Sequence, residues 1–139
     1  MISNADIQSA WISRLKANVA ITARVPAVEV REESWKGTEF SYPNIRVKLG
    51  NLTPTAKNND CRIFQSEVSI LVFVEQKSSK TADEISGIIA AEMWGKSFTL
   101  NGVRFTGVTL DSLAPAMVPE RDENSWMSSV NLTALVSSG

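Results

Sequence analysis

Residues 64–75 read FQSEVSILVFVE, residues 81–93 read TADEISGIIAAEM and residues 98–105 read FTLNGVRF. In the first stretch Phe64, Val68, Ile70, Val72 and Val74 share one side of an extended chain, and alternation assigns that side to a core. The opposite side reads Gln65, Glu67 and Ser69 and then turns apolar at Leu71 and Phe73. Thr81 followed by Glu84 has capping-box spacing, which predicts a helix over Thr81–Met93. Ala82, Ile85, Ile88, Ile89 and Met93 fall on one side of that helix, and Gly95 suits the position just past its end. Phe98 and Leu100 then meet Val103 and Phe105 across Asn101-Gly102, a dipeptide that two-residue hairpin turns favour because both positions need positive φ. The apolar phase slips from Val103 and Phe105 to Val108 and Leu110, so a bulge is expected at Gly107. Trp126, Val130, Leu132, Ala134 and Val136 alternate with Ser129, Asn131 and Thr133 in a last strand. A strand, a helix, a hairpin and a strand in this order build an antiparallel sheet with a helix on one face.

Working outward, Ser3 and Asp6 also have capping-box spacing, with Asp in place of the preferred Glu. Ile7, Trp11, Leu15 and Val19 recur every four residues, so a helix from Asn4 to Ile21 with a core-facing stripe is expected. Arg24-Val25-Pro26 ends it, since Pro disfavours helical geometry in the residue before it. Val28 and Val30 alternate with Glu29 and Arg31 in a first strand near an edge, and Ile45, Val47 and Leu49 alternate with Asn44, Arg46 and Lys48 in a second. Gly50–Asp60, with Asn51, Pro54, Asn58 and Asn59, carries turn chemistry and predicts a projecting loop. Ala114–Asn124, with Pro115, Pro119 and the charged run Glu120–Glu123, predicts another. The fold class is therefore α+β, a mostly antiparallel sheet with two helices packed on one face, in the order α-β-β-β-α-β-β-β.

The 139 residues suit one domain spanning residues 1–139, long enough to bury roughly two thirds of its unfolded surface. An apolar fraction of 43% and a charged fraction of 21% are those of a globular protein. The formal net charge of -1 provides no overall positive field for phosphates or an anionic membrane, so nucleic acid is not expected as a primary ligand. The longest unbroken apolar run, Ile70–Val74, is far short of the roughly 20 residues a membrane-crossing helix needs. Met1–Lys16 lacks a basic start followed by an apolar block, and the chain is expected to be cytosolic in origin and unprocessed.

Nothing in the sequence assembles a catalytic centre. Histidine is absent, which removes Ser-His and Cys-His dyads and His-rich metal sites. The lone Cys61 stands beside Asn58, Asn59 and Asp60 with only Arg62 as a nearby cation, and reads as a loop-edge thiol. Asp111, Glu120, Asp122 and Glu123 are the nearest approach to an acidic cluster, but they lack the alternating spacing and central Gly of a calcium loop. Gly37, Gly50 and Gly107 are isolated, so no phosphate-cradling loop is present. Lys77, Lys80, Arg14 and Lys16 are scattered, although a basic patch formed only across an oligomer stays open. The expectation is a non-enzyme with no cofactor and no metal.

Bulky apolar side chains carry more information. Trp35, Phe40, Tyr42, Leu71, Phe73 and Trp94 include several with no evident place in a sheet covered on one side only. Aromatic enrichment marks protein interfaces. For Trp35, Phe40 and Tyr42, closing a loop over the core explains them as well as an interface does; for Leu71 and Phe73 the interface is favoured. Together these two could contribute about 3 to 6 kcal/mol against a partner before ordering costs.

The whole layout resembles the tail terminator, or tail completion, proteins of long-tailed bacteriophages. The likeness runs through an N-terminal helix, Tyr42-Pro43-Asn44-Ile45-Arg46-Val47, the Val68–Val74 strand, Thr81-Ala82-Asp83-Glu84-Ile85 to Met93, Phe98-Thr99-Leu100-Asn101-Gly102 and Ser129-Val130-Asn131-Leu132. The resemblance implies copies assembled into a ring, usually of six, that caps the head-proximal end of the tail tube, ends tail growth and offers a surface for head joining. The implied partners are other copies of the chain, the tail tube protein and a head-tail connector or neck protein. DNA would only pass through the channel, no membrane is involved, and the protein would reside in the virion after assembly in the bacterial host cytoplasm. Leu71 and Phe73, with the Gly50–Asp60 and Ala114–Asn124 loops, are the contact regions the resemblance carries over. Two alternatives stay open: a neck protein of the same virion, and a monomeric small-ligand-binding domain with Trp11, Trp94 or Trp126 lining a pocket.

Overall fold

The structure is a computed structural model that describes residues 3–33, 41–55, 63–75, 79–118 and 125–138. Its helices are α1 (Asn4–Ala17), α2 (Val19–Thr22) and α3 (Ser79–Met93), and its strands are β1 (Val30–Glu32), β2 (Asn44–Pro54), β3 (Phe64–Glu75), β4 (Phe98–Leu100), β5 (Val103–Met117) and β6 (Ser125–Ser138). The six strands form one sheet in the order β1-β2-β3-β6-β5-β4. Every pairing is antiparallel except β1 with β2. The α+β class expected from the alternation of periods 2 and 3.6 is the one observed.

β3 and β6 form the spine. Their register runs without interruption from Phe64 opposite Val136 to Glu75 opposite Ser125. Directly opposed residues point to the same face, so Val68, Ile70, Val72 and Val74 share a surface with Val130, Leu132, Ala134 and Val136, and all eight are buried. Onto this surface α3 places Ala82, Ile85, Ile89 and Met93, while α1 places Ile7, Ala10, Trp11 and Leu15. Trp11 is fully buried against Phe105 and Phe98, with ring centroids 4.8 Å and 5.9 Å away and both pairs edge-on, geometries that aromatic quadrupoles favour. The Arg14 guanidinium lies over the Phe98 ring, 4.7 Å from its centroid. Polar bonds pin α3 as well: Ser128 Oγ donates to Ala82 O at 2.9 Å and is hydrogen-bonded by Ser86 Oγ.

Local signals with a specific backbone meaning appear as read. Asp6 N–H donates to Ser3 Oγ and Ser3 N–H donates to Asp6 Oδ2, each at 3.1 Å, completing the capping box. Asn101 and Gly102 have φ of 52° and 76°. Gly107 has φ of 58° and sits where the β5–β6 register shifts between Thr106 and Thr109. Gly95 has φ of 77°, and its N–H donates to Val108 O at 2.7 Å, tying the end of α3 to the sheet.

Other expectations need correction. The first helix does not run unbroken to Ile21: Asn18 leaves helical geometry at φ -85°, ψ 118°, and its side chain caps α2 by accepting from Ile21 N–H at 3.2 Å. Asn competes well for such a cap, and the break throws Val19 off the core stripe to 81% exposure. Val28 belongs to a 3-10 turn over Ala27–Glu29, and strand begins only at Val30. β2 continues through Gly50 to Pro54 after a register shift between Leu49 and Leu52, so the first five residues of the expected Gly50–Asp60 loop are strand. Gly50 permits this because a Cβ there would stand 2.9 Å from Glu67 Cβ. β5 likewise continues through Pro115 to Met117, using a register shift between Ala114 and Met117, where a loop was expected from Ala114. Pro fits because β5 is an edge strand at that point. Finally, α3 begins at Ser79, so Thr81 is inside the helix and Glu84 reaches Arg24 at 3.1 Å instead of closing a capping box.

A buried charge cluster joins the parallel edge to the rest. Arg46 in β2 is 4% exposed; its Nη1 donates to Glu29 O at 2.7 Å and to Ile45 O at 3.0 Å, and its Nη2 lies 3.8 Å from Glu29 Oε1. Burial pulls the Arg46 guanidinium below its ordinary value, and the Glu29 carboxylate opposes that shift. Removing one member of a buried pair leaves the other charge uncompensated. Arg46→Ala should therefore destabilise the fold by about 3 kcal/mol, read as a lowered denaturation midpoint in urea.

The capping box gives an acid dependence. Hydrogen bonds from the Ser3 backbone and side chain hold the Asp6 carboxyl below its usual value. A depressed carboxylate stabilises above the unfolded-state pKa and ceases to do so as pH falls through the folded value. Wild-type and Asp6→Ala chains should thus differ in thermal midpoint at neutral pH and converge below about pH 4.

Candidate interaction surface

With the helices covering one face, the other face of the sheet is built from the remaining alternate residues. Register aligns them in rows across the strands. Asn44, Phe73, Met127 and Met117 form one row from β2 to β5; Arg46, Leu71, Ser129 and Ala114 form the next; Lys48, Ser69, Asn131 and Ser112 form a third. The first row is apolar over three strands.

Leu71 and Phe73 lie on this outer face as alternation required, and both are half-buried. Their β2 neighbours explain the partial cover. Asn44 and Arg46 are buried although they occupy outward positions, with Asn44 Nδ2 donating to Ser41 O at 3.0 Å and Arg46 held at Glu29. The wet face read from Asn44, Arg46 and Lys48 is therefore wet only at Lys48. Trp94, at the end of α3, is 59% exposed. Trp35, Phe40 and Cys61 lie outside the described residues, as do residues 56–60 and 119–124 of the two expected loops, including Glu120, Asp122 and Glu123. Tyr42 is half-buried and joined to Pro43 by a cis peptide.

The third row is polar and cross-linked. Ser69 Oγ donates to Asn131 Oδ1 at 2.7 Å, and Asn131 Nδ2 donates to Ser112 Oγ at 2.9 Å. Beside it, Thr133 Oγ1 donates to Asp111 Oδ2. This ladder satisfies side chains in the middle of the face and separates the apolar row from exposed Leu135 at the other end.

The unpaired stretches of β2 and β5 are guarded. Among the described residues, no strand pairs with the outer side of β2 beyond Val47 or with the outer side of β5 beyond Phe105. Exposed strand edges invite another strand unless they are blunted. β2 carries Lys48, the Leu49/Leu52 register shift and Pro54. β5 carries Pro115 and register shifts at Thr106/Thr109, Leu110/Ser112 and Ala114/Met117, and its Ala116 N–H already donates to Asp83 Oδ1 at 2.9 Å.

The tryptophans proposed for a ligand pocket do not converge. Trp11 is sealed in the α1 side of the core, Trp94 faces solvent and Trp126 packs half-buried at the start of β6. Among the described residues no group of three or more Cys, Asp or Glu is placed to hold a metal ion, and no helix is long and apolar enough to cross a membrane. Exposed Met117 and Val118 fall within the expected Ala114–Asn124 contact region, whereas exposed Leu113, Val19 and Val28 were missed in the sequence. For Val19 the signal was available in Asn18, a strong capping residue in the middle of an apparent helix.

No model of a known protein family matches this chain, and no curated protein does so. Solved structures do share its fold. A chain of the virion of a native gene transfer agent particle superposes with a TM-score of 0.74 at 18% identity, over 97% of this chain and 99% of that one. A second solved chain superposes with a TM-score of 0.62 at 15% identity, over 99% of this chain and 97% of its own. These likenesses span the fold from end to end, edge strands included.

The ladder makes a stability prediction of its own. Asn131→Ala removes both of its side-chain bonds, but Ser112 is exposed and Ser69 half-buried, so water can replace the lost partners. The cost should be about 1 kcal/mol, well below that of Arg46→Ala, in paired urea titrations.

Proposed function

We propose that this protein is a structural component of a phage-like virion, a tail terminator that closes the head-proximal end of a tail tube as a homo-oligomeric ring. The observation that carries the reading is the end-to-end correspondence of its fold with a chain of a gene transfer agent virion. The ordered likeness of its elements to tail terminators supports a place in the tail. The described residues supply a surface in place of reactive groups: an apolar row through Phe73 and Met127 to Met117, with Leu71 beside it. A subunit built this way works by burying area against neighbours, and closure of the ring limits further addition. Its partners on this reading are further copies, the tail tube protein and a connector or neck protein.

Light scattering after size exclusion tests the ring. Wild-type protein should give a closed oligomer, alone or on purified tail tubes, and a chain that stays monomeric in both settings overturns the proposal. Leu71→Asp and Phe73→Asp should abolish assembly while the thermal transition is retained; an unchanged oligomer removes the outer face from the interface. Omitting the protein during tail assembly should give tubes beyond normal length. Tubes of normal length that fail to join heads would instead indicate a neck protein.

A further inference from the structure

The parallel border of the sheet buries more hydrogen-bond acceptors than it supplies with donors. Asn44 is wholly buried and Glu29 is 7% exposed. Among the described residues no hydrogen-bond donor reaches Asn44 Oδ1 or Glu29 Oε1, and both atoms are shut off from bulk solvent. Buried polar atoms in native proteins find a partner in the chain or in an ordered molecule.

The two acceptors are fixed in place. Asn44 Nδ2 donates to Ser41 O at 3.0 Å, so turning the amide over would set Oδ1 against that carbonyl. Glu29 is held through its backbone, whose O accepts from Arg46 Nη1 at 2.7 Å, while the same Nη1 donates to Ile45 O at 3.0 Å. With Nη1 spent on main chain, the approach to the carboxylate is left to Nη2, which stands 3.8 Å from Glu29 Oε1. A direct charge-assisted hydrogen bond closes to about 2.8 Å. Polar groups held beyond that reach are commonly joined by a molecule that bonds to both. Asn44 and Arg46 are alternate residues of β2 and share its outer side, about 7 Å apart along the strand. One small molecule making bonds of about 2.8 Å spans that spacing once the side chains lean toward it.

The chemistry of the three atoms selects the molecule. It must donate to a carboxylate and to an amide oxygen, and it must accept from a guanidinium. A monovalent cation meets the first two demands only, and it would sit against the Arg46 charge, with Arg31 next to Arg46 in the β1–β2 register. An anion fails at both acceptors. Water satisfies all three, and three hydrogen bonds are the usual complement of a buried water.

We infer that the parallel border contains a water-binding site, in which one ordered water donates to Glu29 Oε1 and Asn44 Oδ1 and accepts from Arg46 Nη2. The water fastens the turn before β1 to β2, behind the outer face: Asn44 opposes Phe73 and Arg46 opposes Leu71. The polar groups beside the apolar row are thereby satisfied from within, and they ask nothing of a partner that covers Leu71 and Phe73. The site belongs to a single chain and stands whether or not copies assemble.

Crystals of the full chain grown from sodium salt, examined at high resolution before and after a rubidium soak, test the assignment. The expected result is one density peak within about 3 Å of Glu29 Oε1, Asn44 Oδ1 and Arg46 Nη2, with no anomalous rubidium signal. An anomalous signal there makes it a cation site and overturns the assignment to water. The absence of a peak, or Arg46 Nη2 closed directly onto Glu29, overturns the site itself. In solution the Asn44 side-chain amide protons should show a cross-peak to water with the sign given by a water that tumbles with the protein; the sign of freely exchanging solvent counts against the inference.

Discussion

The pairing of β3 with β6 sets nearly everything else in this molecule. Because the register holds from Phe64–Val136 to Glu75–Ser125 without a bulge, every residue of both strands is committed to one of two faces. A slip of one residue would send Val68, Ile70, Val72 and Val74 outward and bring Glu67 and Ser69 in. Helices α1 and α3 pack on the side that this ladder makes dry. The apolar outward positions at Leu71, Phe73 and Met127 are therefore a feature of the sequence that the core does not require.

That separation makes function readable as a question of surfaces. The helix-covered face is closed by Trp11, Phe105 and α3, with buried polar bonds where Ser128 meets Ser86 and the Ala82 carbonyl of α3. The outer face divides into an apolar row near the start of β2 and a hydrogen-bonded ladder through Ser69, Asn131 and Ser112. A ladder of this kind spends its hydrogen-bonding capacity internally, which suits a surface shaped to fit a neighbour rather than to hold a small polar ligand.

Much of the fold was legible because its signals are local. Asn101-Gly102, Gly107 and the Ser3–Asp6 box each answer a backbone requirement within a few residues, and each is found where it was read. The misreadings have a common cause in distance. Pro54 and Pro115 look like ends of strands when only neighbours in sequence are considered, yet both are tolerated because nothing among the described residues needs their missing N–H on the far side. Arg46 reads as a solvent-facing cation until β1 is seen to lie parallel to β2 and bring Glu29 over it. The surface around Leu71 and Phe73 was legible from alternation alone. Its continuation to Met117 depends on which strands end up as neighbours, and the exposure of Val19 depends on a helix break.

The blunted stretches of β2 and β5 bear on how the chain behaves at high concentration. A bare sheet edge at high concentration would tend to zip onto its fellows through the backbone, a route that leads to fibrils. Proline, lysine, irregular register and an aspartate already holding an amide hinder that route along the unpaired stretches of β2 and β5. Along those stretches any contact with another copy is left to the fit of side chains, which is weaker and more reversible than a backbone ladder.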